Sequence, residues 1–159
     1  MTFSTADICD THESLQILKP IMSSYGGKKS CQGSLCTIEL DEDNKGLIDL
    51  LKQKAKENKI VVVDAKGKYC AIVGDTLMGI AKENGYEGII VNGYVRDTAI
   101  TKDIDVGLFA LGVCPKKSTK KAPSKLNVPI SFGGVDVRND QYLYADCDGI
   151  VVLDTKILT

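Results

Sequence analysis

Apolar residues recur along the chain with two periods, one typical of helices and one typical of strands. Helical spacing occurs in three segments, each beginning beside a residue that favours a helix start. Because these segments are short, each must bury an apolar face against the rest of the fold. The predicted helices are residues 4–12 with Ser4 or Thr5 as N-cap, a segment that begins after Asp43 or Asn44 and carries apolar residues to Ala55, and a segment from Asp75 to the stop signal Asn84-Gly85.

Runs of β-branched and other apolar residues predict strands, and the clearest, residues 60–63, reads Ile-Val-Val-Val. Residues 115–127 carry five lysines and two prolines and are predicted to form an exposed loop. The pattern indicates one α/β domain over residues 1–159, with a β-rich C-terminal part. The predicted strands are residues 35–40, 60–63, 69–73, 88–91 (ending at Asn92-Gly93), 105–113, 128–132, 135–138 and 149–153.

Residues 74–97 are predicted to place polar groups at the ends of two parallel strands. One strand ends at Gly74, Asp75 opens a helix, and the next strand leads into Arg96-Asp97. Carboxyl ends of parallel strands share one sheet edge, so these groups should converge on one crevice. Free helix N–H groups favour a small anion, arginine offers a planar cation, and a carboxylate suits Mg²⁺ or Mn²⁺. Taken singly, Asp75 is better explained as a helix cap and Arg96-Asp97 as a solvated pair.

The charge balance argues against two classes of partner. With 20 Lys and Arg against 21 Asp and Glu, the net charge is −1, which leaves no basic excess to hold nucleic acid or an anionic membrane. The longest apolar runs, such as residues 150–153, are far shorter than a membrane span. Residues 1–12 contain acids where a signal peptide has positive charge. We therefore expect a cytoplasmic protein with no membrane and no direct nucleic-acid partner.

The cysteines do not follow the spacing of a metal site. Six are present, none forms a CxxC pair, and the chain has one histidine, His12. This argues against a structural zinc site of the usual kind. Several of the cysteines have apolar neighbours, which is typical of small buried side chains in a reducing compartment.

The spacing of three polar residues provides a more specific indication. Asp75, twenty intervening residues and then Arg96-Asp97 resemble the D-X20-R-D signature of the RraA-like family. That family contains the regulator of ribonuclease activity A and the class II 4-hydroxy-4-methyl-2-oxoglutarate aldolases. Further blocks that resemble the family are STADICD at 4–10, YGG at 25–27, DN at 43–44, VVVDAKG at 61–67, DIDVG at 103–107, KKSTK at 116–120, FGGV at 132–135 and YADCDGI at 144–150.

The resemblance implies a swivelling β/β/α fold of the phosphohistidine-domain type and a homotrimer with sites between subunits. It also implies a metal-dependent pyruvate aldolase that decarboxylates oxaloacetate through a pyruvate enolate. Asp97 would be the direct ligand of Mg²⁺ or Mn²⁺, and the catalytic residues would be Arg96, facing the keto oxygen, and Asp75, orienting a water that moves protons. The residues implied to bind the 2-oxo acid, either oxaloacetate or 4-hydroxy-4-methyl-2-oxoglutarate, are Gly74, Asp75, Thr76, Leu77, Met78 and Arg96.

Two other functions compete with the aldolase. The regulator branch of the family implies a protein that binds and inhibits ribonuclease E, which requires a surface rather than a metal site. The presence of Asp97 favours the enzyme, because a pure binding protein needs no ligand there. A methyltransferase, a name sometimes given to relatives, is disfavoured because VVVDAKGKY at 61–69 lacks the G-x-G glycines of a nucleotide-type cofactor loop.

Overall fold

The predicted alternation of strands and helices is found in a computed structural model that describes residues 2–119, 121 and 123–157. Within those residues the helices are α1 (Thr5–Thr11), α2 (Lys45–Leu51), α3 (Asp75–Glu83) and α4 (Thr98–Thr101). The strands are β1 (Gln16–Ile17), β2 (Ser23–Ser24), β3 (Cys31–Glu39), β4 (Lys59–Asp64), β5 (Ala71–Val73), β6 (Tyr86–Val95), β7 (Gly107–Val113), β8 (Lys125–Leu126), β9 (Ile130–Phe132), β10 (Val135–Val137), β11 (Tyr142–Ala145) and β12 (Ile150–Leu153).

Ten of the described strands form one mixed β-sheet. Its strands follow the order β1-β12-β11-β3-β4-β6-β7-β2, with β5 attached to β6 and β8 attached to β3. The central strands β3, β4, β6 and β7 run parallel, whereas β11, β12, β1 and β2 are antiparallel additions at the sides. Strands β9 and β10 form a separate hairpin. The α/β class expected from the sequence is confirmed.

Both faces of the central sheet are buried, which explains the uninterrupted apolar run of β4. Val61 and Val63 pack on one face with side chains of α2 and α3. Ile60 and Val62 pack on the other face with side chains of the β9–β10 hairpin and of β11 and β12. The alternation of side chains along one strand therefore serves a helical layer and a β layer.

Helix α1 covers the outer face of the β11–β12 pair, where Ile8 packs with two tyrosines of β11. Ser4 caps this helix by accepting a hydrogen bond from the Asp7 N–H, as predicted. At the helix start, the Thr5 N–H and hydroxyl donate to the Asp146 carboxylate at 2.8 and 2.6 Å. The first helix is therefore tied to the turn between the last two strands.

Several predicted boundaries were wrong for identifiable reasons. Strand β6 continues through Asn92-Gly93 to Val95, because Asn92 donates to Asp64 and Gly93 lies against Ala65, where a Cβ would approach to 2.9 Å. Glycine there permits close packing rather than ending the strand. Strand β11 was not predicted, and α2 ends before Ala55. The predicted loop at 115–127 contains β8, while residues 120 and 122 of that loop lie outside the described part of the chain.

The cysteines divide between interior and surface. Cys70 and Cys114 are buried, as expected, and so is Cys31. Cys36, which was also expected to be buried, is half-buried, while Cys9 and Cys147 are exposed. Burial, reinforced by the nearby Glu87 charge, raises the pKa of the Cys31 thiol to about 12, so this side chain is an uncharged core group. No helix among the described residues is long and apolar enough to cross a lipid bilayer.

Candidate active site

The carboxyl ends of β5 and β6 lie side by side. The two strands pair in parallel, with Val73 opposite Val95, and the Arg96 N–H donates to the Val73 carbonyl at 2.9 Å. Gly74 is the N-cap of α3, directly after β5. The convergence predicted from the sequence is therefore confirmed as geometry, with the start of a helix facing Arg96-Asp97.

Asp97 has an uncommon backbone conformation, with φ 60° and ψ 34°. Aspartate is one of the few non-glycine residues that adopt this left-handed region readily. The chain turns sharply here into α4, and the Asp97 carboxylate comes back toward α3, where its Oδ2 accepts from the Asp75 N–H at 3.3 Å. The turn therefore aims the Asp97 carboxylate at the start of α3.

Gly74 leaves room for that carboxylate. A Cβ at this position would lie 2.5 Å from Asp97 Oδ2, closer than non-bonded atoms tolerate. The Arg96 Nε lies 3.9 Å from the same oxygen, and the Arg96 Nη1 donates to the Pro115 carbonyl at 3.4 Å. Arg96 is thus held between the carboxylate and the segment that follows β7.

A small cleft of about 70 Å³ lies between these groups. Among the predicted site residues, the lining includes Gly74, Asp75, Thr76, Leu77, Arg96 and Asp97. Met78 is the exception: its N–H donates to the Gly74 carbonyl at 3.1 Å, and its side chain is fully buried in the core. The backbone N–H groups of Thr76 and Leu77 have no hydrogen-bond acceptor among the described residues, as expected for the first turn of a helix.

The sequence prediction missed three polar residues of the cleft, namely Asn44, Lys117 and Ser118, besides the β5 residues 71–73. Asp43 or Asn44 was expected to cap α2. The Asp43 carboxylate accepts from the Lys45 N–H at 3.0 Å, while the Asn44 side chain donates to the Ile72 carbonyl at 2.8 Å and fixes the end of β5. Lys117 and Ser118 belong to the loop predicted as exposed, which bridges to Ala71 of β5. The resemblance of 43–44 and 116–120 to family blocks was the available signal.

Acidic residues near the cleft hold neighbouring lysines. Lys68 donates to Asp41, Lys121 pairs with Glu42 at 2.6 Å, and the Thr119 hydroxyl donates to Glu42 at 3.1 Å. The hydrogen bond from Lys68 holds the pKa of Asp41 below its ordinary value, and those from Lys121 and Thr119 do the same for Glu42. Both carboxylates are charged at neutral pH, and Glu42 attaches Thr119 and Lys121 to the rim.

The donor set fits a hard divalent cation held by few protein ligands. Asp97 supplies a carboxylate whose Oδ1 meets no hydrogen-bond donor among the described residues. In the described part of the chain, no three His, Cys, Asp or Glu side chains gather into a metal cage. A cation on Asp97 would therefore take most of its ligands from water and substrate, which matches the habit of Mg²⁺.

Exposed apolar side chains lie near the cleft. Tyr69 packs edge to face on the half-buried Tyr94, with ring centroids 4.9 Å apart, and Val113 is a separate exposed residue at the end of β7. Tyr69 is 67% exposed and Val113 is 48% exposed. Val113 lines a shallow hollow with Arg96 and Asp97, so this exposed residue adjoins the site.

Comparisons with known proteins find relatives that match nearly the whole chain. A protein of Dechloromonas aromatica, provisionally named 4-hydroxy-4-methyl-2-oxoglutarate aldolase, is 39% identical over 158 residues that cover 96% of each chain. An Arabidopsis thaliana protein of the same provisional name is 40% identical and covers 98% of this chain and 97% of its own.

Solved structures give the same fold. The RNA-processing inhibitor RraA from Thermus thermophilis matches with a TM-score of 0.94 and 31% identity, over 99% of this chain and 96% of its own. A Geobacillus kaustophilus structure, described as an S-adenosylmethionine: 2-dimethylmenaquinone methyltransferase, matches with a TM-score of 0.93 and 37% identity, over 98% and 97%. The family model described as "RraA-like: Aldolase/RraA" matches residues 5–152, and the chain belongs to that family, with its β/β/α fold.

Proposed function

We propose that this protein is a divalent-metal-dependent pyruvate aldolase, which cleaves 4-hydroxy-4-methyl-2-oxoglutarate and also decarboxylates oxaloacetate. The observation that carries the proposal is the convergence of the Asp97 carboxylate, the Arg96 guanidinium and two free N–H groups of α3 on one cleft. The provisional aldolase names of several relatives support the same class of reaction.

Substrate binding begins at the start of α3. The N–H groups of Thr76 and Leu77 and the helix dipole favour a carboxylate, and a 2-oxo acid presents one beside its keto group. With that carboxylate on the helix, the keto oxygen points toward Arg96 and Asp97 on the opposite wall. The site therefore selects the head group common to 2-oxo acids.

Bond cleavage leaves negative charge on the keto oxygen. A divalent cation on Asp97, when bound, supplies Lewis acidity to the carboxylate and keto oxygens of the substrate. In aldol cleavage the bond from C3 to C4 breaks, its electron pair moves toward the keto oxygen, and the C4 hydroxyl loses a proton. Arg96 donates to the oxygen where charge grows, and Asp75 orients the water that accepts the proton and returns one to C3. Oxaloacetate gives the same enolate with CO₂ as the departing group.

We propose further that three copies form a ring with each site between neighbours. The exposed side chains of Tyr69 and Val113 support this arrangement, since Val113 adjoins the cleft and Tyr69 exposes a large ring. A neighbouring subunit on these side chains would exclude water from the site and enclose the substrate.

The test is to supply Mg²⁺ and oxaloacetate, and separately 4-hydroxy-4-methyl-2-oxoglutarate, to the purified protein and to measure pyruvate. Activity should vanish with EDTA and return with added Mg²⁺. Arg96→Ala should lower turnover by about 10²–10³-fold, because one preorganised donor to the developing charge is lost. Arg96→Lys should recover only part of the rate, because it lacks the planar fork. If both variants match the parent, cleavage is background chemistry of the metal and the proposal fails.

A protein-binding regulator of ribonuclease E is the second candidate. The structural match to the RNA-processing inhibitor RraA supports it. The two functions separate experimentally, because Arg96→Ala removes enolate stabilisation but changes little of the outer surface. Inhibition of purified ribonuclease E by both the parent and this variant, without lyase activity in the parent, would establish the regulator instead.

The methyltransferase name of one similar structure finds less support in this chain. The segment 61–69 provides the end of β4 and a turn, without the G-x-G glycines that let a nucleotide-type cofactor approach the backbone.

A further inference from the structure

The 115–121 segment brings a lysine to the rim of the cleft without an acidic partner. Three neighbouring lysines are neutralised: Lys66 by Glu39, Lys68 by Asp41 and Lys121 by Glu42. Lys117 lines the cleft, and no carboxylate of the described residues lies within ion-pair distance of it. Lys117 is therefore a cation at the rim without a carboxylate beside it in the described part of the chain, whereas Arg96 lies 3.9 Å from Asp97.

The position of Lys117 is fixed by its backbone and not by its side chain. The Ala71 N–H donates to the Lys116 carbonyl at 2.7 Å, and Lys117 bridges to Ala71 in parallel. Before this point, the Pro115 carbonyl accepts from Arg96, and after it, Thr119 donates to Glu42. The segment is therefore attached on both sides, while the exposed Lys117 side chain is free to turn toward a ligand.

We infer, resting on the proposed function, that Lys117, assisted by Ser118, binds the second carboxylate of a dicarboxylic 2-oxo acid and so selects such substrates over monocarboxylic ones. The cleft holds only about 70 Å³, so a four- or five-carbon substrate bound by its first carboxylate at α3 extends to the rim. Its far end then meets the Lys117 ammonium and the Ser118 hydroxyl, which both donate to carboxylate oxygens.

The role has different consequences for the two reactions. When oxaloacetate loses CO₂, the far carboxylate gives up its charge, so the ammonium stabilises the bound substrate more than the transition state. Removal of the ammonium should therefore raise the KM for oxaloacetate without lowering kcat. In aldol cleavage the far carboxylate stays charged, so KM rises and kcat is unchanged.

The experiment compares Lys117→Ala with Lys116→Ala, which removes the same charge from an adjacent exposed lysine that does not line the cleft. Calorimetry with Mg²⁺ present measures binding of 2-oxoglutarate, which has a second carboxylate, and of 2-oxobutyrate, which has none. Lys117→Ala should weaken 2-oxoglutarate binding about three- to tenfold and change 2-oxobutyrate binding less than about twofold. Lys116→Ala should bind both like the parent.

The outcomes separate this inference from the function on which it rests. Equal weakening of both acids in Lys117→Ala, or no weakening of 2-oxoglutarate, overturns the role of Lys117 while the lyase proposal stands on the parent's activity. A lower kcat for oxaloacetate in Lys117→Ala, at unchanged KM, also overturns it. A parent protein that binds neither acid and releases no pyruvate overturns both.

Discussion

Asp97 combines a left-handed backbone with a carboxylate aimed at the start of α3. The two properties depend on each other, because the left-handed turn is what returns the side chain toward the helix. A substitution that removes the charge can therefore also disturb the turn. Asparagine tolerates the same backbone region, whereas alanine does so less well, by about 1 kcal/mol.

Asp97→Asn is accordingly the informative variant. It keeps the turn and removes the anionic ligand, so metal-dependent pyruvate release should fall by at least about 10²-fold with the melting temperature nearly unchanged. Calorimetry should show loss of Mg²⁺ binding in parallel. Asp97→Ala should lose the same activity and melt at a lower temperature. Wild-type turnover in Asp97→Asn at saturating Mg²⁺ would contradict the ligand assignment.

Gly74→Ala tests the close approach between helix start and carboxylate. The added Cβ would stand 2.5 Å from Asp97 Oδ2, so the carboxylate must move and turnover should drop sharply. Gly79→Ala is the matched control within α3, because nothing lies within 4 Å of a Cβ there. It should keep full activity and gain about 1 kcal/mol of stability from helix propensity. Equal activity in the two variants would show that turnover does not depend on the close approach of the Asp97 carboxylate to Gly74.

At the scale of single residues, the sequence predicts those site residues whose positions depend on spacing within one local unit. Asp75 and Arg96-Asp97 could be predicted because one β-α-β unit brings them together. Lys117 could not be placed at the cleft by local spacing, because its position depends on a bridge to Ala71, 46 residues earlier in the chain; the family block at 116–120 was the available signal. The N–H of Met78 was wrongly assigned to the substrate, since an intrahelical bond to Gly74 already uses it.

Among the elements, long buried strands were easier to predict than short edge strands. Strand β4 can be recognised in the sequence by four consecutive β-branched residues. Strands β1 and β2 have two residues each, and they are strands because they pair with β12 and β7. Strand β11 is buried along its whole length by α1 on one side and the core on the other, so it lacks the expected alternation. These features come from tertiary packing.

The attachment of α1 predicts how stability depends on pH. Burial of Asp146 opposes its ionisation, but hydrogen bonds from Thr5, Asp148 and Gly149 outweigh that effect and lower its pKa below the ordinary 3.8. The stabilisation is therefore complete above about pH 4 and lost as pH falls through the lowered value. Asp146→Ala should lose about 1–3 kcal/mol at pH 7 and show a smaller drop in melting temperature below pH 4.

Asp148→Ala is the control for that measurement, because this neighbouring carboxylate is exposed and its backbone, not its side chain, donates to Asp146. Its melting curve should follow the parent's from pH 3 to pH 7. A parent-like curve for Asp146→Ala would show that α1 is held by the packing of Ile8 alone.

In the whole molecule, the helical layer and the β layer bury both faces of one sheet, and the candidate site lies at the sheet edge where strand ends are open. The swivelling β/β/α fold was expected only through the family resemblance. Apolar periodicity alone predicts the class, because it indicates which residues are buried and not which strands are neighbours. The sheet order β12-β11-β3 places the chain's last strands beside its first long one, a long-range arrangement.

The trimer is the prediction that belongs to this scale. Light scattering of the purified protein should give three times the mass of one chain at micromolar concentration. Val113→Asp should release monomers, because a charge in place of this exposed apolar side chain cannot be buried against a neighbour without a partner. Its monomer fold should persist, since Val113 is already about half exposed.

Ile17→Asp is the control for this variant. It places the same charge on another exposed apolar residue, which lies in β1 at the opposite side of the sheet, and it should stay trimeric. If subunits enclose the site, pyruvate release by Val113→Asp should fall with the trimer fraction and return as concentration drives reassembly. A monomeric parent with full activity would show that one chain holds the complete site.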